Sequence, residues 1–429
     1  MTRRACVTGP SPDMIQQELS FDTEPKRLDP RLWHGSFNGK ESTLQQLSPY
    51  VGKLKSGMVQ TLLRLYSQEG DWVLDPFCGS GVVPLEALLH GRRAIGNDLS
   101  PYAYHLTLGK LAVPRTESEA LTRATAAMDA AETRAKELRS SDFPDYIRAF
   151  FHPDTLLETA AAFEVLTSRN EHFLLACLMG ILHHVRPGFL SYPASHLTPY
   201  LREKKYPRDE YASMYAYRPV RPRLIAKVRR AFRRTMVAKP WRLTDYQVLC
   251  ENSMHLSLPD ESVDLVLSSP PYFGALDYAR DNRLRLWFLG SKDWKALDRS
   301  LTARDEVYIP QMAECLKEME RVLKPGRHCV LVLGDVERDG KSRRTAELIG
   351  ELAESVTESR LRVLQLVRDE IPDIRRSRRR TRTTKVEKIL VLKKLADSIH
   401  TVDREPIAVA DAPARRPAQR RRTRSRLDG

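Results

Sequence analysis

Two short segments of the chain combine residue types that could do chemistry. The first is Asp75-Pro-Phe-Cys-Gly-Ser-Gly81 and the second is Ser269-Pro-Pro-Tyr272. In the first, two glycines let the backbone turn sharply and approach a ligand without a Cβ in the way. In the second, a hydroxyl and a carbonyl beside two prolines offer fixed hydrogen-bond acceptors next to an aromatic ring. The first is typical of a site for a nucleotide-like cofactor, and the second could hold a flat base by its amino group.

The glycine-containing segment lies where a predicted strand meets a predicted helix. Residues 72–75 form a short apolar run, and residues 82–90 have a helical pattern. A helix that begins after such a turn directs unpaired N–H groups and the positive end of its dipole at a ligand. In open α/β sheets, ligands bind at the carboxyl ends of the strands, which is where this turn lies. The alternative is a tight strand–helix turn that binds nothing.

Asp98 favours the cofactor interpretation because it ends the next predicted strand, residues 93–98. An acid about 20 positions after a glycine turn can hydrogen-bond the hydroxyls of a ribose. Asp98 could equally cap the helix that begins near Ser100, and the two roles are compatible. The chain has no complete Walker-type segment, in which four residues separate two glycines and Lys and Ser or Thr follow the second glycine. This argues against hydrolysis of a nucleoside triphosphate.

The diproline segment suits a reaction at an exocyclic amino group. Such a nitrogen is a poor nucleophile because its lone pair is delocalised into the ring. Accepting hydrogen bonds from both of its N–H groups favours a pyramidal nitrogen, and we expect the Ser269 hydroxyl and the Pro270 carbonyl to be these acceptors. Pro270 and Pro271 fix the backbone, and Tyr272 could stack on a base that has left the duplex. The alternative is a plain turn, but the position after a buried strand favours the functional interpretation.

Strand and helix patterns alternate on both sides of a long helical stretch, which predicts a parallel α/β sheet. The predicted strands span residues 72–75, 93–98, 247–250, 262–268, 328–333, 361–368 and 386–392. Residues 324–326, Lys-Pro-Gly, are predicted to turn. Residues 116–239 carry helical patterns and no strand-like run, so we expect an α-rich insertion between the two halves of the sheet.

These patterns divide the chain into four predicted regions. They are an N-terminal arm (1–45), a sheet domain made of 46–115 and 241–395, a helical insertion (116–240) and a basic tail (396–429). The tail is rich in Pro, Ala and Arg and cannot bury a core, so we expect it to be disordered. The insertion is the candidate region for recognising a target.

The charge of the chain points to a polyanionic partner. The formal net charge is +15 and the pI is about 9.6, which suits nucleic acid, although a solvated basic surface is the alternative. Basic and aromatic residues crowd the insertion together and could contact phosphates and bases. They are Arg186, Arg202, Lys204, Lys205, Arg208, Arg218, Arg221, Arg223, Arg229, Arg230, Arg233 and Arg234, with Tyr192, Tyr200, Tyr206, Tyr211, Tyr215 and Tyr217.

Other site classes have little support. The six cysteines show no paired spacing, which disfavours a zinc site and a disulfide framework and fits a reducing cytoplasm. His183 and His184 have no Cys or carboxylate at ligand spacing, so we predict a structural role for them and no metal. No apolar run is long enough to cross a bilayer, and we expect a cytoplasmic protein.

Several segments together resemble the S-adenosylmethionine-dependent amino-methyltransferases of DNA, the N4-cytosine/N6-adenine group. The two core segments carry most of the resemblance, which covers roughly residues 45–115 and 245–394. The supporting segments are Ser48-Pro-Tyr-Val-Gly-Lys-Leu-Lys-Ser-Gly-Met-Val59, Asn252-Ser253, Leu258-Pro-Asp-Glu-Ser-Val-Asp264, Arg321-Val-Leu-Lys-Pro-Gly326, the strand end at Asp335 and the last strand, ending at Lys394. The resemblance implies a Rossmann-like α/β sheet with an α-rich insertion.

The resemblance also implies roles for individual residues. The cofactor would be S-adenosyl-L-methionine, bound by Asp75, Pro76, Phe77, Gly79, Gly81, Asp98 and Asn252. The target base would be held by Ser269, Pro270, Pro271 and Tyr272. At position 252 the family usually carries an aspartate that contacts the amino group of the cofactor adenine, and here Asn still offers an acceptor oxygen. Many cytosine enzymes also have the two core segments in the opposite order.

Several activities fit the resemblance. The serine form of the diproline segment occurs most often in N4-cytosine enzymes, so methylation of cytosine N4 in double-stranded DNA is the first hypothesis, with adenine N6 as the close alternative. A cognate restriction endonuclease would be a natural partner. An RNA base methyltransferase is a further alternative, although such enzymes usually carry an N-terminal RNA-binding domain. The last is a DNA-binding protein with a decayed catalytic site, against which the intact core segments argue.

Direct transfer to an amino nitrogen needs no covalent enzyme–base intermediate, so Cys78 is predicted to be a packing residue and not a nucleophile. A carbon-5 cytosine methyltransferase would need a Pro-Cys nucleophile, which the chain lacks. We expect Cys78→Ala to retain substantial methyl-transfer activity, measured with labelled cofactor on DNA. Complete loss of transfer by a variant that still binds S-adenosyl-L-methionine would contradict this role.

Overall fold

The structure is a computed structural model that describes residues 28–33, 41–195, 198–234, 241–271, 278–300, 307–338, 341–370, 386–396 and 409–410. Within these ranges, no helix combines the length and the apolar character needed to span a bilayer. The predicted Tyr272 contact and most of the predicted arm and tail fall outside the described residues.

A sheet of eight strands forms the centre of the molecule, and a two-stranded hairpin lies apart from it. The strands are β1 (Trp72–Asp75), β2 (Arg93–Asn97), β3 (Tyr246–Leu249), β4 (Val263–Ser268), β5 (Leu323–Gly334), β6 (Val336–Arg338), β7 (Lys341–Arg343), β8 (Leu361–Glu370), β9 (Val386–Lys394) and β10 (Val409–Ala410). The hairpin is β6–β7, and the large sheet has the order β10-β8-β9-β5-β4-β1-β2-β3. Every neighbouring pair is parallel except those that include β9.

The strand order creates a switch point between β1 and β4. The chain runs from β1 outward to β2 and β3 and then returns on the other side of β1 as β4. β1 and β4 pair in parallel, with Val73 opposite Leu265 and Leu74 opposite Val266. Crossovers that leave in opposite directions open a crevice at the carboxyl ends of the two strands. The predicted Rossmann-like α/β fold is confirmed.

Helices cover both faces of the sheet. They are α1 (Ser56–Tyr66), α2 (Val82–Leu89), α3 (Pro101–Leu111), α4 (Glu117–Ala135), α5 (Asp145–Arg148), α6 (Pro153–Ser168), α7 (His172–Ile181), α8 (Val220–Phe232), α9 (Tyr278–Phe288), α10 (Trp294–Ser300), α11 (Tyr308–Val322) and α12 (Thr345–Val356). β4 is buried along its whole length, as expected for a parallel strand covered on both faces. One apolar core joins the sheet to α1–α3, and a second joins it to α11 and α12.

The predicted insertion is helical and packs on the sheet domain. Its helices α4, α6, α7 and α8 contact one another, and α7 also contacts α3. Their apolar residues belong to the same core as those of α1 and α2. Within the described part of residues 116–240 there is no strand, only an isolated bridge between Ala194 and Leu201. The insertion therefore shares its core with the sheet domain.

Part of the region predicted as an N-terminal arm is packed into the core. Trp33 and Leu44 are fully buried. The Trp33 indole Nε1 donates to Asp369 Oδ2 at 2.9 Å, and the Lys55 ammonium donates to the same oxygen at 2.9 Å. Since Asp369 lies on β8, these bonds attach Trp33 and Lys55, and with them the described segments 28–33 and 41–55, to the sheet domain.

Two other predicted features differ in detail. Lys324, Pro325 and Gly326, predicted as a turn, lie within β5, and Gly326 has a φ of 75°. The register with β4 shifts between Val263 and Leu265, so the turn residues form an irregularity inside a longer strand. In the predicted tail, Val409–Ala410 pairs with β8.

The buried Asp369 generates a prediction about stability. Its carboxylate is fully buried and compensates the Lys55 ammonium, which is 9% exposed. In its absence the Lys55 ammonium would keep only Glu387 Oε2, which lies 4.0 Å away. Removing one partner of a buried ion pair is strongly destabilising, so we expect Asp369→Ala to lower the free energy of unfolding by roughly 3 kcal/mol. Urea denaturation of the variant, with the exposed-pair variant Glu137→Ala as the control, measures the loss. A loss no larger than that of the control would contradict the anchoring role.

Candidate functional site

A cleft of about 820 Å³, including space open to solvent, lies at the carboxyl ends of β1 and β4. It brings together most of the residues that the sequence singled out. Its lining includes Asp75, Phe77, Gly79, Asp98, Asn252, Ser269 and Pro271, together with Tyr50, Lys53, Leu54, Cys78, Ser80, Leu99, Ser100, Ser253 and Tyr278. The cofactor segment and the diproline segment, about 190 residues apart in the sequence, therefore form one site.

The glycines of the first segment are required by conformation and by space. Gly79 and Gly81 have φ values of 48° and 71°, in the left-handed region that glycine adopts without strain. A Cβ on Gly79 would lie 3.0 Å from the Tyr50 ring, and a Cβ on Gly81 would lie 2.6 Å from Thr107 Oγ1. Gly81 is also the N-cap of α2. The turn thus directs the first N–H groups of α2 toward the cleft.

Asp98 fixes the same turn from the neighbouring strand. Its Oδ2 accepts from the Gly79 N–H at 2.9 Å, and its Oδ1 accepts from the Ser100 N–H at 2.9 Å. Burial raises the pKa of Asp98 to about 6, while these two backbone bonds lower it. The carboxylate lines the cleft and organises the loop after β2, so the two interpretations of Asp98 from the sequence are compatible in the structure.

Asp75 connects the two segments directly. It is 3% exposed, and its Oδ1 accepts from Ser268 Oγ at 2.6 Å and from the Phe77 N–H at 3.2 Å. Burial raises the pKa of Asp75 to about 7, the two hydrogen bonds lower it, and the nearby Asp98 charge raises it. This bond joins the end of β1 to the end of β4 immediately before Ser269.

Ser269 is held as a hydrogen-bond acceptor. Its Oγ lies 3.0 Å from the carbonyl oxygen of Val332 on β5 and donates to it. A hydroxyl has one proton and two lone pairs, so the lone pairs remain to accept from another group. Pro270 is buried and Pro271 lines the cleft. Tyr272 lies outside the described residues.

Other predicted cofactor residues support the turn as well as line the cleft. The Pro76 carbonyl accepts from Ser253 Oγ at 2.6 Å and from Asn97 Nδ2 at 3.2 Å. The amide oxygen of Asn252 accepts from the Met254 N–H at 3.1 Å. The bonds to Pro76 attach the end of β2 and the loop after β3 to the segment of the glycine turn.

An aromatic group at the cleft was only partly expected from the sequence. The Tyr50 ring stacks on Tyr102 with centroids 5.8 Å apart and contacts Tyr278 at 6.3 Å. The Tyr102 hydroxyl donates to Ser48 Oγ at 2.8 Å, and the buried Arg285 guanidinium lies 5.2 Å from the Tyr102 centroid. Tyr50 lies in a supporting segment of the resemblance, whereas nothing in the local sequence around Tyr278 indicated a site.

The cleft has features that fit a polar, nucleoside-like cofactor. Ser80 Oγ is buried beside the cleft and has no hydrogen-bond partner among the described residues. Phe77 and Leu99 supply apolar walls, and Asp98 supplies a carboxylate next to the glycine turn. Unpaired buried hydroxyls carry a free-energy cost that a bound polar group removes. The residues present therefore fit S-adenosyl-L-methionine.

Metal and thiol chemistry have no support among the described residues. Groups of His, Cys, Asp and Glu that could hold a metal are absent from these ranges. His183 is fully buried, and its Nδ1 bonds to the Ser195 carbonyl at 2.8 Å. Burial raises the pKa of the Cys78 thiol well above its usual value, and the thiol packs against Thr107. A thiol that resists ionisation is a poor nucleophile.

The structure separates the basic residues of the insertion into two groups. Several are used internally: Arg218 donates to the carbonyls of Phe189, Ser191 and Met214. Arg221 pairs with Asp129 and Glu132, and Arg208 pairs with Glu203. The others include Arg202, Lys204 and Lys205, which have no ion pair with a described carboxylate. Sequence alone could not make this separation.

Comparisons with known proteins find similarity in the segment that contains the glycine turn. Residues 29–108 match the family model described as "DNA methylase". Type II methyltransferase M.MjaII of Methanocaldococcus jannaschii is 33% identical over 89 residues, which are 20% of this chain and 16% of that protein. The chain thus matches about a sixth of the length of that curated relative. Both matches are limited to a small part of the chain, and they agree with the resemblance found in the sequence.

Solved structures give broader but weaker similarity. A SAM-dependent methyltransferase from Methanosarcina mazei is 14% identical, with a TM-score of 0.30 over 78% of this chain and 98% of the other. The rRNA methyltransferase aviRa from Streptomyces viridochromogenes is 12% identical, with a TM-score of 0.31 over 84% and 96%. At these TM-scores the fold assignment depends on the strand order described above.

The raised pKa of Asp75 generates a prediction about pH and stability. Because its pKa of about 7 exceeds its ordinary value of 3.8, the contribution of Asp75 to stability is greatest below pH 4 and is lost as the pH rises through 7. Asp75→Asn keeps the acceptor oxygen and removes the charge. We expect the stability of the variant relative to the wild type to rise by roughly 2 kcal/mol between pH 5 and pH 8.

Urea denaturation of both proteins without cofactor, at pH 5, 6, 7 and 8, measures this difference. Asp260→Asn is the matched control because its carboxylate is exposed. A difference between Asp75→Asn and the wild type that stays constant over this pH range would contradict the raised pKa.

Proposed function

We propose that this chain methylates the exocyclic amino group of a base in double-stranded DNA, with N4 of cytosine as the target. The match of residues 29–108 to the family model described as "DNA methylase" supports the reaction class. The observation that carries the proposal is the meeting of the glycine turn and Ser269 in one cleft, joined by the bond between Asp75 and Ser268. A cofactor and a base bound at these two segments would be neighbours. Methyl transfer between them then needs no large movement of the sheet.

The residues of the glycine turn would hold the cofactor. Gly79 and Gly81 allow the backbone to approach it, and Asp98 is placed to accept hydrogen bonds from ribose hydroxyls. Phe77 would contact an apolar part of the cofactor, and the Asn252 amide would contact its base. When bound, S-adenosyl-L-methionine supplies a methyl group made electrophilic by its sulfonium. Cofactor binding should weaken as Asp98, with a pKa of about 6, becomes protonated.

The diproline segment would orient the target amino group. Ser269 commits its proton to the Val332 carbonyl, so its lone pairs can accept one N–H of the base while the Pro270 carbonyl accepts the other. Both acceptors sit on backbone fixed by proline, and a preorganised acceptor costs no rearrangement during the reaction. The nitrogen lone pair would then be available to the methyl group that the cofactor supplies, whose bond to sulfur would break as the new bond forms, and the amino proton would be lost to solvent. We propose that Tyr272 stacks on the flipped base.

The choice of cytosine rests on the serine at position 269, the form that the resemblance links most often with N4-cytosine enzymes. Adenine N6 presents the same pair of N–H groups and would use the same acceptors. Methylation confined to one short motif would fit a restriction–modification role with a cognate endonuclease. A cytoplasmic location would fit an enzyme that methylates cytosine or adenine in DNA.

Sequencing of modified bases tests the proposal. We expect DNA from a methylation-free host that expresses the chain to carry N4-methylcytosine in one short motif. Ser269→Ala removes one acceptor and should reduce methyl transfer roughly 100-fold, with the affinity for S-adenosylhomocysteine unchanged. Ser257→Ala, an exposed serine outside the cleft, is the matched control.

The outcomes separate the alternatives. N6-methyladenine would keep the reaction class and replace the target base. Unmodified DNA from a host whose expressed protein binds S-adenosyl-L-methionine would contradict the DNA activity and favour RNA as the substrate. Full activity of Ser269→Ala would contradict its role as an acceptor.

A further inference from the structure

We propose that residues 198–206, here called the basic loop, form the surface that holds the DNA strand beside the target base. This inference rests on the proposed function, because it assigns the macromolecular partner of that same cleft to one segment of the insertion. The basic loop lies between α7 and α8 and contains Arg202, Lys204 and Lys205, with Tyr200 on its exposed side.

The basic loop is attached to the helix that forms one wall of the cleft. Thr198 Oγ1 donates to Asp281 Oδ1 at 2.6 Å, and the Arg283 guanidinium donates to the Pro199 carbonyl. Both partners are on α9, whose first residue, Tyr278, lines the cleft. Asp281 follows Tyr278 by three residues, which is about 5 Å along a helix. The loop is therefore attached about one helical turn from Tyr278, a residue that lines the cleft.

The backbone of the loop presents a large exposed ring. The Ser195 N–H donates to the Tyr200 carbonyl at 3.0 Å. An antiparallel bridge pairs the neighbouring residues, Ala194 and Leu201. The Tyr200 side chain is 50% exposed, and the Arg202 guanidinium lies 5.9 Å from its centroid. An exposed aromatic ring beside a cation suits stacking on a nucleobase, which tolerates any base sequence.

The lysines of the loop also differ from the paired arginines on the insertion helices. On the helices, Arg134 pairs with Glu164 at 2.7 Å and Arg221 pairs with Asp129 at 2.5 Å, whereas Arg229 and Arg230, exposed on α8, have no ion pair with a described carboxylate. Lys204 and Lys205 are exposed and, within the described ranges, have no carboxylate at ion-pair distance. Lysines without such partners can neutralise phosphates without first breaking an ion pair, which gives affinity that depends strongly on salt.

Together these observations favour a nucleic-acid backbone over an acidic protein surface. Three cations and a ring, on one short segment anchored beside the cleft, fit a run of phosphates and bases along a strand. The ring would stack on a base next to the one that has left the duplex, and the lysines would contact its flanking phosphates. The basic loop would then contribute affinity and position, and no base-specific readout is assigned to it.

Binding of a fluorescein-labelled duplex of mixed sequence, in the presence of S-adenosylhomocysteine, tests the inference with the full chain. We expect the double variant Lys204→Ala/Lys205→Ala to bind more weakly and to reduce the slope of log affinity against log salt by about 2. Tyr200→Ala should weaken binding roughly tenfold with little change in the slope. Arg134→Ala and Arg221→Ala are the charge controls, and Tyr146→Ala, with a ring 52% exposed on α5, is the aromatic control.

Affinity for S-adenosylhomocysteine should be unchanged in all variants, which shows that the fold and the cofactor site are intact. Equal DNA affinity and salt slope for the loop variants and the wild type would overturn the inference, as would a loss of affinity for an RNA hairpin but not for DNA. The proposed function is judged separately by methyl transfer from the wild-type chain. DNA binding through the loop without methylation would refute only the proposed function, and methylation with normal binding by the loop variants would refute only the inference.

Discussion

The parallel pairing of β1 with β4 is the constraint on which the rest of the site depends. The two strands are far apart in sequence, yet their registered ends place Asp75 against Ser268, and the bond between them aligns the glycine turn with the diproline segment. If β4 were displaced by one residue, its side chains would change faces, since successive side chains on a strand alternate. Ser269 would then leave both the cleft and its Val332 partner. A buried hydrogen bond and a strand register thus fix the distance between the two proposed binding sites.

The same region contains two buried acids, and burying their charged forms is unfavourable for folding. Asp75 and Asp98 both have raised pKa values because burial disfavours their charged forms. Buried ionisable groups with raised pKa values are frequent at functional sites, where the environment serves chemistry more than stability. Here the hydrogen bonds from backbone N–H groups and from Ser268 partly offset the burial. The carboxylates are therefore held by hydrogen bonds next to the cleft, where their protonation can change when a ligand binds.

The segment before α1 connects the cleft to distant parts of the fold. Tyr50 covers Gly79, while five residues later Lys55 is anchored to Asp369 on β8. On the other side of the ring, Tyr102 and the buried Arg285 extend the contact to α9. The wall of the cofactor site is thereby tied to the helix that follows the diproline segment. The basic loop is attached to the same helix, so the cofactor wall, the base segment and the proposed DNA surface share one support.

The sequence by itself determined the local elements and the residue types of the site. The glycines at 79 and 81, the acid at 98 and the buried strand before Ser269 follow from short-range rules of backbone conformation and hydrophobic periodicity, and for that reason they could be predicted. Tertiary structure alone decided which strands are neighbours, because pairing between distant segments depends on the packing of both sheet faces. It also decided that the Arg218 guanidinium donates its hydrogen bonds to backbone carbonyls, while Lys204 and Lys205 are exposed without a described carboxylate partner. The side-chain formula of a basic residue does not reveal whether its charge is already compensated; only the position of its neighbours does.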